Sequence, residues 1–152
     1  MKFVKGDITM AERGIICQQC NCQLVMGAGL AKNIRAKFPR VYTEYRELMG
    51  KVPIKQRIGK SQIVEIVPKE LYVANLLGQY HYLPRGQCHT DYNALSIAMN
   101  GLKTWHSQFC PADFPVIFPS GMGAGLAGGD WNYISGLIGS IFPNAIIVRY
   151  DK

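Results

Sequence analysis

Two glycine-rich segments constrain this chain more than any other feature. Met26-Gly27-Ala28-Gly29 and Ser120-Gly121-Met122-Gly123-Ala124-Gly125 each follow an apolar, β-rich run and each precede a stretch with helical spacing. A strand that feeds a loop and then a helix is the repeating unit of parallel α/β sheets, and such sheets bind ligands at the carboxyl ends of their strands. Glycines at alternate positions carry no Cβ, so several backbone N–H groups can turn toward one cavity. That surface suits a diphosphate, as does a nearby helix N-terminus. One such loop is weak evidence, because glycine also serves plain turns. Two in the same context point to a shared anion site.

The rest of the pattern agrees with an α/β fold. Met1 to Val4 and Gly14 to Gln19 read as strands, the second carrying Ile15, Ile16 and Cys17 as a buried run. Gly27-Ala28-Gly29 opens a helix with Leu30, Ile34 and Phe38 at i, i+4, i+8 spacing, and Pro39 ends it and starts a second that closes at Gly50. Ser61 to Val67 and Leu71 to Leu77 are adjacent strands around Pro68-Lys69-Glu70, Gly78 to Cys88 is loop, and His89 to Phe109 is a long helix. Pro115 to Pro119 is an apolar strand, Asp130 caps a last helix through Ile141, and Ala145 to Tyr150 makes the final strand. The expectation is a single domain over 1–152, a three-layer α/β/α sandwich around a mixed sheet.

Length and composition fit that plan. The chain has 152 residues, 48% hydrophobic and 18% charged, and about 68–70% of the extended surface of such a chain can be buried without a disulfide or a metal. No apolar run approaches the ~18–20 residues of a membrane span, and the first residues lack an apolar signal-peptide core. Five cysteines, an odd number, read best as reduced thiols. A cytoplasmic monomer with no membrane contact is expected. The net charge of +7 is concentrated, since ten Lys or Arg and three acids lie between Lys32 and Lys69. Such a block suits an anionic ligand, a weak nucleic-acid contact or a solvated helix face.

Three tempting motifs fail. Gly59-Lys60-Ser61 resembles the end of a phosphate-binding P-loop, but Ile54 stands where that motif needs glycine, and a strand follows rather than a helix. Gly27-x-Gly29 lacks the third glycine of the dinucleotide fingerprint. Cys17-x-x-Cys20-x-Cys22 has no second ligand pair at metal spacing, so these cysteines read as small apolar core residues and no metal or cofactor is expected.

Taken together, Gly6-Asp7-Ile8-Thr9, Cys20-Asn21-Cys22-x3-Met26-Gly27-Ala28-Gly29-Leu30-Ala31 and Pro119-Ser120-Gly121-x-Gly123-Ala124-Gly125 resemble the macrodomain family along the whole chain. The first loop is closest to the branch of the terminal ADP-ribose–protein glycohydrolase and the yeast ADP-ribose-1''-phosphate phosphatase. The resemblance implies an ADP-ribose cleft. Asp7 would accept from the adenine amino group beside the Ile8 backbone, and Tyr150 would pack on the ring. A loop-capping role for Asp7 and a core role for Tyr150 are the plainer alternatives. Asn21 would orient the distal ribose, against the alternative of an Asn that bonds its own loop. Met26 to Leu30 would line that ribose, and Ser120 to Leu126 the diphosphate.

The chain departs from the glycohydrolases of that branch. Their aspartate follows the Gly-Leu of the second loop, where Gly125-Leu126 is followed here by Ala127, and Pro84-Arg85-Gly86-Gln87 contains no lysine. Arginine cannot act as an amine nucleophile, but its planar fork pairs well with a terminal phosphate. The weight therefore moves to hydrolysis of ADP-ribose-1''-phosphate. De-ADP-ribosylation, O-acetyl-ADP-ribose hydrolysis and non-catalytic reading of ADP-ribose are the alternatives. Asn21 and Arg85 would orient the reacting end, and His81 and His89 are the candidate acid/base groups. His106 reads as a surface residue of the long helix.

Overall fold

The computed structural model describes residues 1–150. The strands are β1 (Lys2–Gly6), β2 (Gly14–Asn21), β3 (Ser61–Val67), β4 (Leu71–Gln79), β5 (Val116–Pro119) and β6 (Ile146–Tyr150). The helices are α1 (Gly29–Lys37), α2 (Pro39–Gly50), α3 (Tyr92–Phe109) and α4 (Trp131–Ile141), with short 3-10 turns at Ile8–Met10 and Ile54–Gln56. All strands lie in one sheet of order β1-β6-β5-β2-β4-β3. Every neighbouring pair is parallel except β3 with β4, which form an antiparallel hairpin.

Alternation along β2 explains the layers. Ile15 and Cys17 face one side, where Leu95, Met99 and Leu102 of α3 and Ile134 and Ile138 of α4 cover them. Ile16 and Cys20 face the other, under Ile34 of α1 and Val41, Tyr45 and Met49 of α2. With both faces covered, β4 is buried along its whole length, as central parallel strands are.

This is the expected three-layer sandwich, with local differences at the ends of elements. The long helix begins at Tyr92 rather than His89, because the Asp91 carboxylate accepts from the Ala94 amide 3.0 Å away and caps it. Strand β4 runs on to Gln79 and takes two residues from the expected loop, since β2 continues to Asn21 and offers pairing that far. His106, expected at the surface, is half-buried with Nε2 2.9 Å from the Phe114 carbonyl. Among the described residues no helix is long and apolar enough to cross a membrane.

Strand β2 is the point where the topology switches. The loop after β2 leads to α1 on one face, while the loop after its neighbour β5 leads to α4 on the other. The two loops part over the carboxyl ends of β2 and β5 and open a crevice between them.

Candidate functional site

A cavity of about 510 Å³ fills that crevice. Its walls are the two glycine loops, its floor the ends of β2 and β4, and its rim the exposed segment that carries Tyr82 and Arg85. Arg85 is the one charged side chain among the described residues that line it.

The first loop is held from beneath. Asn21 Oδ1 accepts from the amides of Gln23 (3.0 Å) and Val25 (3.3 Å), and its Nδ2 donates to the Val25 carbonyl (2.9 Å). The Tyr45 hydroxyl donates to the Asn21 carbonyl, and Arg57 Nη1 donates to the Cys22 carbonyl at 2.9 Å. Burial pushes the Tyr45 hydroxyl well above its ordinary range, so it remains a donor there. The loop ends at Ala28, the N-cap of α1, which has the extended backbone of a cap but no capping side chain. By contrast, Asp91 and Asp130 cap α3 and α4. The first amides of α1 therefore lack a side-chain acceptor, on a helix whose first three residues line the cavity.

The second loop is a run of turns. The amides of Met122, Ala124, Gly128 and Gly129 donate to carbonyls within it or beside it. Among the described residues, no protein acceptor takes the amides of Gly121, Gly123, Gly125, Leu126 or Ala127. Gly121 and Gly123 have φ of +82° and +74°, the left-handed region that favours glycine. Thr90 ties the loop to the base of α3, donating from Oγ1 to the Gly123 carbonyl at 2.6 Å. The Ala127 carbonyl accepts from the amides of His89 (2.7 Å) and Thr90 (3.3 Å).

No family model matches the chain. An uncharacterized 17.5 kDa protein of phage T4, encoded in its tk–vs intergenic region, is 28% identical over 155 residues, covering 99% of this chain and 96% of that protein. A Bacteroides thetaiotaomicron protein of unknown function superposes with TM-score 0.84 at 24% identity, over 99% of this chain and 97% of its own. The macrodomain of Mycobacterium tuberculosis DarG superposes with TM-score 0.75 at 21% identity, over 100% of this chain and 99% of its own. Thermosipho africanus DarTG in complex with ADP-ribose gives TM-score 0.75 at 14% identity, over 99% of this chain and 42% of its own. The fold is that of a macrodomain.

Within the macrodomain fold the expected site residues divide into groups. Asn21, Met26, Gly27, Ala28, Gly29, Leu30, Ser120, Gly121, Met122, Gly123, Gly125 and Leu126 line the cavity, and so does Arg85. Ala124 does not, and its amide donates to the Gly121 carbonyl. Asp7, Ile8 and Tyr150 also lie outside the cavity wall. They cluster at the carboxyl ends of β1 and β6, where Gly6 pairs with Tyr150, on the same edge of the sheet as the cavity. Asp7 Oδ1 accepts from the Thr9 amide (2.9 Å) and hydroxyl (2.7 Å), which holds its carboxyl below the usual range. Tyr150 is 65% exposed and so is no core tyrosine.

The two candidate imidazoles are not on the cavity wall. His81 is exposed, edge-on to Tyr80. His89 Nε2 lies 2.6 Å from the Pro84 carbonyl, so that nitrogen donates and fastens the rim segment. Cys17 and Cys20 of β2 and Cys22 just after it are core residues, and burial pushes the Cys22 thiol up to about 11 and those of Cys17 and Cys20 higher still. None is a thiolate near neutral pH. Gln18, Gln19 and Gln79 on the floor escaped the sequence reading. Their one visible signal is amide side chains in strands that are otherwise apolar.

Proposed function

We propose that the cleft binds ADP-ribose. The diphosphate lies between the uncapped N-terminus of α1 and the second glycine loop, and the distal ribose lies over the first loop. The adenosine extends along the sheet edge toward Asp7, Ile8 and Tyr150. One observation carries this reading: two sets of backbone amides without protein acceptors border one cavity whose lining holds an arginine and no acid. A diphosphate supplies acceptors for both sets and charge for the helix end. Thermosipho africanus DarTG, 42% of whose chain superposes on this fold, forms a complex with ADP-ribose.

Hydrolysis of ADP-ribose-1''-phosphate is a second reading, and Arg85 on the rim favours it. A guanidinium fork there can hold a phosphate on the distal ribose while water attacks phosphorus and the P–O bond to the sugar breaks. The products are ADP-ribose and phosphate. Because neither His81 nor His89 lines the cavity, positioning by Arg85 and the loop amides supplies what rate enhancement there is.

The test is thermal melting with millimolar ADP-ribose, beside AMP. At a hundredfold excess over Kd, binding stabilises by about 2.7 kcal/mol, which raises Tm by roughly 5–10 °C in a domain of this size. AMP, lacking the second phosphate and the distal sugar, gives a smaller shift. No shift with ADP-ribose ends the binding reading. Phosphate release from ADP-ribose-1''-phosphate, lost in Arg85→Met, separates turnover from binding.

A further inference from the structure

A row of three buried amides crosses the sheet beneath the cavity and ends at Gln18. The Gln62 Nε2 donates to the Glu44 carbonyl of α2 at 2.9 Å, Asn75 Nδ2 donates to Gln62 Oε1 at 3.2 Å, and Gln18 Nε2 donates to Asn75 Oδ1 at 2.9 Å. The Glu44 carbonyl can only accept, so it fixes the orientation of Gln62. That fixes Asn75, and Asn75 in turn fixes Gln18. Neither Gln62 nor Asn75 can flip without losing a bond at both of its ends, and Gln18 cannot flip without losing its bond to Asn75. The polarity of the row leaves the Gln18 carbonyl as its free end.

Gln18 is 2% exposed and lines the cavity, yet its Oε1 has no donor among the described protein groups. Its remaining N–H points to the Met26 sulfur, 4.0 Å away. A buried carbonyl without a donor is unfavourable unless something else supplies one. Here the unmet group borders the space where a ligand enters.

We propose that Gln18 Oε1 is the acceptor that selects a hydroxyl-bearing sugar at the inner end of the cleft, directly or through one bound water. This rests on the ADP-ribose reading above. Phosphate oxygens at neutral pH only accept, so the diphosphate cannot satisfy this carbonyl. The donors of ADP-ribose are the adenine amino group and the ribose hydroxyls. The adenine is assigned to the β1–β6 end, and Gln18 stands on β2 beside the first loop, so the distal ribose is the part within reach. Met26, an unbranched and adaptable side chain, covers the amide and turns aside as the sugar seats.

The test compares ADP-ribose with ADP, which lacks the distal sugar, by calorimetry on wild type and Gln18→Met. Methionine keeps the length and apolar stem but removes the acceptor. The expected result is a loss of about tenfold in ADP-ribose affinity, one hydrogen bond's worth, with ADP affinity unchanged. Equal losses for both ligands, or none, overturn the proposal. A wild type that binds neither overturns the ADP-ribose reading itself, which is a different failure. A crystal structure of wild type with ADP-ribose decides the matter if the variant does not fold. A ribose hydroxyl within hydrogen-bonding reach of Gln18 Oε1, directly or through one water, supports the proposal, and its absence overturns it.

Discussion

Gly123 and Gly125 stand two residues apart in one loop, yet a side chain would meet opposite surroundings at each. A Cβ on Gly123 would lie 2.8 Å from Gln19 Oε1, 3.1 Å from Ile134 Cδ1 and 3.2 Å from Thr90 Oγ1, on a backbone with φ of +74°. It would press into the protein, not into the cleft. A Cβ on Gly125 meets no atom within 4 Å, its φ lies outside the left-handed range, and the residue lines the cavity. Gly125→Val therefore adds bulk where the ligand lies without straining the fold. Its ligand-free Tm should stay close to wild type, as for surface changes within ±0.5 kcal/mol, while ADP-ribose affinity falls by about tenfold or more. Gly123→Val should instead lose roughly 1–3 kcal/mol of stability through overpacking and backbone strain. Calorimetry and thermal melts on both variants check this. Wild-type affinity in Gly125→Val would mean that the second loop does not touch the ligand.

At the scale of elements, α1 is the helix whose missing cap has a use. Ala28 has φ −146° and ψ 160°, the extended conformation from which Asp, Ser or Thr caps a helix. Ala28→Asp should stabilise the ligand-free protein by about 1 kcal/mol, or roughly 2–4 °C in Tm, because the carboxylate takes the first free amides and meets the helix dipole. The same carboxylate occupies the place proposed for the diphosphate and repels it, so ADP-ribose affinity should drop. A gain in stability with no loss of binding would place the phosphates elsewhere. The elements themselves were largely legible in the sequence, since β2, β5 and α4 announce themselves by apolar runs and by Asp130. The start of α3 was not, because Thr90 is claimed by Gln19 Nε2, Gly123 and a bridge to Gln79, all distant in sequence. The glycine loops were legible as a site because strand, loop and helix are local. Gln18 was not, since its partner Asn75 lies 57 residues further along the chain, and Asn75's own partner Gln62 lies 13 residues before it. Nor could any local pattern tell that His89 bonds the Pro84 carbonyl and stays off the cavity wall.

For the whole molecule, the +7 charge becomes a matter of distance from the cleft. Lys32, Arg35, Lys37, Arg46 and Lys51 are exposed on the α1–α2 layer, and that layer begins at the cavity wall. A basic face beside the cleft attracts an anion approaching it. Lys32 stands three residues after Gly29, about 5 Å along a helix rising 1.5 Å per residue. Lys69 lies in the β3–β4 turn, ten residues before the cavity-lining Gln79, with the nine residues of β4 between turn and cavity, about 30 Å of strand. The screening length is about 10 Å at 0.1 M salt and 3 Å at 1 M. Lys32 therefore acts on the entering diphosphate at the lower salt and Lys69 does not. Lys32→Glu should slow ADP-ribose association roughly 2–5-fold at 0.1 M, with little change in dissociation, and the difference should vanish at 1 M. Lys69→Glu removes the same charge and should leave the rate within error of wild type. Stopped-flow rates at the two salt concentrations check both variants. Equal slowing by the two would mean that net charge alone matters and that the basic layer has no directed relation to the cleft.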